Sequence, residues 1–223
     1  MKKTIAVFLT LAAVISITSC ANNGSKKSHD TQIGGGEEGY DYFLIEDEEN
    51  AEYVVMETSK GNIIIQLFPE AAPITVANFR KLVNSGFYDG IIFHRVVKKF
   101  VIQAGDPTGT GYEGSKDKIK GEFAINGWNN PIHHERGVLS MARNSISYDS
   151  GSSQFFICLE NNTNVSALDG AYAAFGKVIA GMDTVDAIAA VNVDYNDKPV
   201  EDQVIVRAFL ASVSKKAAEG SNN

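Results

Sequence analysis

Residues 93–106 read FHRVVKKFVIQAGD and residues 151–157 read GSSQFFI, and these two stretches decide the fold. Each is typical of a β-strand, yet each carries polar residues for which a strand core has no use. Arg95 and Gln103 lie inside runs of Ile, Val and Phe. A cation in an apolar strand is costly unless it faces a solvated cleft or finds partners. The pattern therefore predicts an apolar groove on the outer face of a sheet, with one guanidinium in it.

The rest of the chain from residue 51 predicts many strands and two separated helices. Pro73 can begin the first helix, where a missing N–H does no harm, and Asn84-Ser85-Gly86 can end it. The second helix is predicted at about 182–191. Strands are predicted at 53–58, 62–68, 91–97, 100–104, 138–142, 153–159, 173–179 and 203–213. Without βαβ alternation, this order favours an antiparallel barrel or sandwich.

Three ordered blocks carry a resemblance to a known family. FHRVVKKFVIQAGD, then GVLSMA at 137–142, then SQFFI at 153–157, resemble the cyclophilin-type peptidyl-prolyl isomerases over about residues 51–214. The resemblance implies a mainly β fold, an eight-stranded antiparallel closed β-barrel capped by two α-helices. In such a fold the barrel interior is packed with side chains and the active groove lies outside.

The reaction that the resemblance implies is rotation about the amide bond preceding proline. Its barrier is roughly 18–20 kcal/mol because resonance gives the C–N bond double-bond character. No bond breaks, so we expect no nucleophile, metal or cofactor. A donor aimed at the prolyl nitrogen would bind the twisted state better than either planar isomer. Family members use the Arg of the FHR motif in this role, which here is Arg95, and Gln103 is expected to bond to Arg95 or to the substrate backbone.

The resemblance also implies a pocket for the proline ring. Phe100, Val101, Phe156 and Leu168 match the pocket-lining positions, although packing in a core would be the default for such residues. Adjacent strand residues face opposite sides, and the resemblance assigns Phe155 to the barrel interior and Phe156 to the pocket. Ala142 and Gln154 match residues that contact the segment preceding the proline.

Two positions depart from the well-known family members. Ala167 stands where they carry Trp before Leu168-Asp169-Gly170, and Tyr172, a predicted substrate-binding residue, stands where they carry His. These departures put pocket depth and cyclosporin binding in doubt. They also leave open a second class of function, a proline-peptide-binding or chaperone module with little turnover. A structural spacer is the weakest alternative because it needs none of these residues.

Two short motifs suggest other chemistry. Residues 109–114 satisfy G-x-G-x-x-G, but the polar residues that follow show no helix period, so we predict a mobile loop bordering the groove. His133-His134-Glu135 lacks the spacing of a metal site and is predicted to be polar surface ahead of a strand.

The first nineteen residues predict a signal peptide. Lys2 and Lys3 precede an uncharged apolar run from Ile5 to Ile17 that is too short to span a bilayer. The run ends at Ile17-Thr18-Ser19-Cys20, which resembles the lipobox of bacterial lipoproteins, with Cys20 as the lipidated residue. An ordinary signal peptide that ends near a Cys is the alternative. The lipobox implies an envelope protein anchored to a bacterial membrane on its periplasmic or surface face, and Ala21 suggests an outer membrane.

Residues 20–50 predict a flexible acidic linker after the lipidated Cys, and residues 215–223 a disordered tail. Tyr40, Tyr42, Phe43 and Leu44 are apolar enough that docking on the domain stays open. Cleavage before Cys20 would change the formal net charge from −7 to −9, because it removes two lysines and no acids. Such a chain is a poor nucleic-acid partner. Cys158 alone predicts a buried thiol without a disulfide. We expect a monomer that helps exported proteins fold by acting on their Xaa-Pro bonds.

Overall fold

The structure, a computed structural model, describes residues 31–32, 39–45 and 47–216 of the 223. The predicted signal peptide, Cys20 and the tail from residue 217 lie outside these residues. The helices are α1 Pro73–Asn84, α2 Thr163–Ser166 and α3 Met182–Ala189, with a 3-10 turn at Ala124–Asn126. The strands are β1 Thr31–Gln32, β2 Tyr40–Leu44, β3 Tyr53–Thr58, β4 Gly61–Leu67, β5 Arg95–Val97, β6 Val101–Ala104, β7 Val138–Met141, β8 Phe155–Cys158, β9 Ala173–Ala180 and β10 Ile205–Lys215.

The strands form one antiparallel sheet in the order β1-β2-β10-β3-β4-β9-β7-β8-β6-β5. The mainly β, antiparallel prediction is confirmed, but this order has ten strands and two open ends, so an eight-stranded closed barrel is not. The predicted strand 91–97 is shorter than expected, because only Arg95–Val97 forms a ladder. Ahead of it, residues 90–93 make single backbone hydrogen bonds to residues 203–205.

The inner face of the sheet and α1 enclose the main hydrophobic core. On β3 and β4, Val54, Met56, Ile63 and Ile65 point into this core, as the alternation of a pleated strand requires. Phe79 of α1 packs its ring 5.7 Å from Phe155, 5.0 Å from Phe175 and 5.2 Å from Tyr88. All four aromatic side chains are fully buried.

Helix α1 begins at Pro73 without a side-chain cap from its own N-cap residue. Its first N–H groups are instead satisfied by the buried carboxylate of Glu122, which accepts from the backbone N–H groups of Ile74 and Thr75 at 2.9 and 2.8 Å. A carboxylate at a helix N-terminus also interacts favourably with the helix dipole. Glu122 therefore fixes the start of α1 from a distant loop. No helix in the described ranges is long and apolar enough to cross a membrane.

A second apolar cluster lies on the outer face of the sheet and corrects the linker prediction. Val55, Ile64 and Phe209 point outward from β3, β4 and β10 and are covered with the help of Tyr42, which is 2% exposed. Strand β2 holds Tyr42 there by pairing with residues 211–215 of β10. The prediction of a flexible linker is thus wrong for residues 40–44, because their apolar side chains find a complementary face.

Candidate active site

Strand pairing brings the predicted polar groups into one row across the sheet. Arg95 lies opposite Gln103, and Gln103 lies opposite Phe156. Arg95 Nη1 donates to Gln103 Oε1 at 3.4 Å, a long and weak hydrogen bond, while Gln103 Nε2 donates to Gln154 Oε1 at 2.8 Å. The expected bond between Gln103 and Arg95 is therefore present, and Gln154 completes a chain of three side chains.

The row borders an open pocket of about 200 Å³. Val101 and Phe156 are almost fully buried in its wall, and Phe100, Leu168 and Tyr172 pack against them. Every groove residue predicted from the sequence except Gln154 lines this pocket, as does Arg143. Phe155 lies in the main core and Phe156 in the pocket wall, as the resemblance implied.

The Arg95 guanidinium is only loosely held at the pocket. Its Nε lies 3.9 Å from Asp197 Oδ2, and the two side chains are 40% and 48% exposed. An ion pair of this length and exposure contributes roughly 0.2–1 kcal/mol. Most of the five N–H groups of the guanidinium therefore stay available to a ligand.

A second pocket, of about 130 Å³, adjoins the first and shares Gln103, Ala142 and Arg143 with it. Gln154 lies in this second pocket. Its Nε2 donates to the backbone carbonyls of Gly111 and Glu113 at 3.0 and 2.6 Å. Gln154 thereby ties the G-x-G-x-x-G loop to the site.

That loop is organised by a buried carboxylate. Asp106 accepts hydrogen bonds from the backbone N–H groups of Thr108 and Gly111 at 2.8 and 2.6 Å. Burial raises the pKa of Asp106, but these bonds and one from Glu113 outweigh burial and hold it at about 2. The loop folds around the carboxylate of Asp106 and borders the second pocket, as predicted. The mobility of the loop stays a prediction.

His134 corrects the prediction of a polar surface. Its side chain is 1% exposed, and its ring nitrogens lie 2.9 Å from Asp169 Oδ1 and 2.9 Å from Ser140 Oγ. The ring stacks on Phe156 at a centroid distance of 6.1 Å. Burial lowers the pKa of His134, although Asp169 opposes this shift. The neutral ring supports the pocket wall from behind, whereas His133 is 87% exposed as predicted.

Arg143 is a site residue that sequence reasoning missed. Its guanidinium carbon lies 5.3 Å from the ring centroid of Phe123, 5.1 Å from that of Tyr148 and 4.8 Å from that of Tyr172. Its Nε donates to the carbonyl of Ala171 at 3.0 Å. Cation–π contacts of this kind hold the side chain between the two pockets. The one sequence signal for Arg143 was its place directly after Ala142.

Of the two departures, Tyr172 lines the first pocket, and Ala167 directly precedes Leu168 of its lining. Tyr172 packs edge-on against Phe156 at 5.6 Å between ring centroids. Ala167 ends the short helix α2 and is exposed. No group of three or more His, Cys, Asp or Glu side chains suited to a metal ion occurs in the described part of the chain.

Comparison with known proteins gives a consistent result. The sequence profile of the family described as "Cyclophilin type peptidyl-prolyl cis-trans isomerase/CLD" matches residues 53–209. The chain is 41% identical over 159 residues to peptidyl-prolyl cis-trans isomerase ppi1 of Schizosaccharomyces pombe, covering 70% of this chain and 96% of the relative. It is 46% identical over 142 residues to peptidyl-prolyl cis-trans isomerase B of Bacillus subtilis, covering 64% of this chain and 85% of the relative.

Solved structures resemble the chain in fold as well. A crystal structure of a cyclophilin-type isomerase from Cryptosporidium parvum superposes with a TM-score of 0.66 at 32% identity, covering 72% of this chain and 98% of the other. A second structure of that protein, in the presence of the dipeptide Ala-Pro, gives a TM-score of 0.65 at 33% identity, covering 72% and 99%.

Proposed function

The chain belongs to the cyclophilin-type peptidyl-prolyl cis-trans isomerases, and we propose that Arg95 carries its catalysis on exported polypeptides. The activity is rotation of Xaa-Pro bonds. Uncatalysed, this exchange takes roughly tens to hundreds of seconds near room temperature. In the transition state the prolyl nitrogen loses resonance and gains a lone pair. An N–H of Arg95 donates to that lone pair and stabilises the twisted bond over either planar isomer.

The first pocket holds the proline ring. Its wall of Val101 and Phe156 is apolar and almost fully buried, so the proline ring exchanges contact with water for contact with an apolar surface on entering. His134 stiffens this wall from behind through its stack on Phe156. The Cryptosporidium parvum isomerase was crystallised in the presence of Ala-Pro, a dipeptide that ends in proline, which agrees with this choice of substrate class.

Gln103 positions the reacting groups. It accepts from Arg95 and donates to Gln154, so the guanidinium and the second pocket share one hydrogen-bond chain. Ala142 and Gln154 contact the segment that precedes the proline. The observation that carries the proposal is the placement of one incompletely paired guanidinium at the edge of an apolar pocket.

The test is an exchange assay on an Xaa-Pro peptide with wild type and Arg95→Ala. Arg207→Ala serves as the matched control, because Arg207 is paired with Glu57 and stacks on Phe209 away from the pocket. We expect Arg95→Ala to lose roughly 100-fold or more in rate, the cost of about 2.7–4 kcal/mol for one preorganised donor. Activity within threefold of wild type would contradict the role of Arg95.

We also propose that the protein is a monomeric lipoprotein of a bacterial envelope, anchored through Cys20. The support is the sequence of residues 1–20: two lysines, an apolar run and a lipobox-like end. Its net negative charge gives the domain no electrostatic attraction to anionic membrane surfaces, so the lipid on Cys20 would provide the attachment. In that place its clients are exported proteins that fold after translocation.

A further proposal concerns the architecture. We infer that the sheet closes on itself through residues 90–93 and 203–205. The support is three backbone hydrogen bonds of 2.8 Å, from Gly90 N to Ile205 O, from Phe93 N to Gln203 O and from Ile205 N to Ile91 O.

The alternative, a binding module with little turnover, rests on the two departures, Ala167 and Tyr172. Ala167 is exposed next to Leu168 of the pocket, and without a large ring there a bound peptide would be less enclosed. A module of this kind would bind Xaa-Pro peptides while leaving their exchange rate unchanged, so the same assay separates the two functions.

A further inference from the structure

The second pocket carries an unusual charge pattern. Lys118 and Arg143 both line it, and neither forms an ion pair with any carboxylate in residues 31–32, 39–45 and 47–216. Lys118 Nζ lies 3.4 Å from the hydroxyl of Ser152. Arg143 donates to the carbonyls of Ala171 and Asn144, both at 3.0 Å. Both cations are therefore held by neutral groups.

The sign of the charge in this pocket differs from that of the chain as a whole. The chain has a formal net charge of −7, and three of the four other described Arg residues pair with an acid, whereas most described Lys residues, like Lys118, form no ion pair. The second pocket has one acid in its lining, Glu113, against the two cations. Its lining thus has a formal charge of opposite sign to that of the protein.

The geometry of a bound peptide decides which substrate residue meets these cations. A residue before proline is restricted to extended conformations. In an extended chain, side chains alternate between two faces, so the proline and the residue two positions before it point to the same side. With the proline ring in the first pocket, the side chain two positions earlier therefore enters the adjoining second pocket.

We propose that the second pocket makes this isomerase selective for substrates with Asp or Glu two residues before the proline. The inference rests on the proposed function, because it places the proline in the first pocket. Lys118 and Arg143 attract the carboxylate, and the aromatic rings around Arg143 keep its guanidinium at the border between the pockets. Glu113 opposes the selection in part.

The test compares three peptides that differ only two residues before the proline, where they carry Glu, Gln or Lys. The readout is the ratio of kcat/KM for the Glu peptide to that for the Gln peptide at low ionic strength. We expect a ratio of about two to five, within the range for exposed ion pairs, with the Lys peptide slowest. Raising the salt concentration should bring the ratio towards one.

Three variants make the assignment specific. Lys118→Gln should lower the ratio, and Glu113→Gln should raise it. Lys60→Gln removes an equal charge from the exposed turn between β3 and β4 and should leave the ratio unchanged. A wild-type ratio near one, or a ratio that Lys118→Gln and Glu113→Gln do not move in opposite directions, would overturn the proposal.

Failure of the proposed function would give a different result. If the protein accelerates the isomerisation of none of the three peptides, the catalytic role given to Arg95 is wrong. In that event the ratio of Kd values for the same peptides, measured by fluorescence titration, still tests the second pocket. Equal Kd values for the Glu and Gln peptides would overturn the selectivity.

Discussion

At the scale of single residues, Ala167, directly before Leu168 of the first pocket, is the largest departure from the well-known family members. A Trp at this position would add an apolar ring and an indole N–H donor beside the pocket. We predict that Ala167→Trp tightens cyclosporin inhibition tenfold or more, since a neutral hydrogen bond plus ring burial contributes roughly 1.5–3 kcal/mol. Turnover of short peptides should change less, because Val101 and Phe156, which we propose contact the proline, are unaltered.

Inhibition curves for wild type and Ala167→Trp provide the measurement, after circular dichroism has shown that the variant is folded. Tyr172 lines the same pocket and could clash with the new ring. Wild type already inhibited at nanomolar cyclosporin would show that this description of the pocket wall is wrong.

His94, next to Arg95, should make stability depend on pH. The side chain is buried, and neither ring nitrogen makes a hydrogen bond of good geometry within the described residues, although Gln154 lies nearby. Burial lowers the pKa of His94; Asp106 and Gln154 oppose this shift, and Arg95 and Lys198 add to it. The folded pKa is thus below the unfolded value of about 6.5, so the contribution to stability is full above that pH and is lost as the pH falls.

We therefore predict that the free energy of unfolding of wild type decreases from pH 7.5 to pH 5, and that His94→Leu reduces this slope. Urea titrations at each pH measure the free energy of unfolding of both proteins. His133→Gln is the matched control, because His133 is 87% exposed. An identical slope for wild type and His94→Leu would show that protonation of His94 does not lower the free energy of unfolding.

At the scale of elements, strand β2 is the structural surprise. Tyr42 is buried against Phe209 at 6.1 Å between ring centroids, and its hydroxyl accepts from Asn62 Nδ2 at 3.1 Å. We predict that Tyr42→Ala destabilises the domain by about 3 kcal/mol, as expected for truncating a buried aromatic ring. The activity of the folded fraction should stay as in wild type, since the apolar cluster around Tyr42 shares no residue with the first pocket.

Denaturant midpoints for Tyr42→Ala and for Tyr195→Ala test this prediction. Tyr195 is 94% exposed, so its truncation should change stability by no more than about 0.5 kcal/mol. Equal midpoints for the two variants would mean that β2 is only loosely associated with the sheet.

The contrast between β2 and the other elements shows what the sequence could predict. Strands β3, β4 and β6 and helix α1 follow from local alternation, a turn and a Pro, and their observed bounds lie within a residue or so of those predicted. Strand β2 is short and follows a Gly-rich, polar stretch, so local composition indicates a linker. Its order comes from the outward-facing Val55, Ile64 and Phe209, which are distant in sequence.

The sequence likewise predicts some site residues and not others. Arg95 and Gln103 are recognisable because they are polar residues within apolar strands, and Phe156 because it is one of two adjacent Phe residues in a strand. His134 and Arg143 carry no such local signal. Their partners are Ser140 and Asp169 for one, and rings from three separate segments for the other, and only the folded chain brings these together.

At the scale of the whole molecule, the proposed membrane attachment depends on the single thiol of Cys20. We predict that Cys20→Ser abolishes lipid labelling and releases the protein from membranes. Cys158→Ala is the control: burial, followed by the nearby charge of Asp169, raises the pKa of the Cys158 thiol to about 12, so it is a poor nucleophile. Metabolic labelling with a fatty acid and membrane fractionation measure both. Mass analysis that finds an unmodified Cys20 in the mature protein would rule out the anchor.

We propose that Arg95 acts on the twisted transition state and contributes little to binding the planar substrate. The most direct measurement is a pair of numbers for Arg95→Ala: the peptide Kd from an NMR titration and the catalysed exchange rate at saturation from exchange spectroscopy. We predict that the exchange rate falls roughly 100-fold or more while the Kd changes less than about threefold. A variant whose Kd rises in proportion to its loss of kcat/KM, with the saturated exchange rate unchanged, would contradict the account.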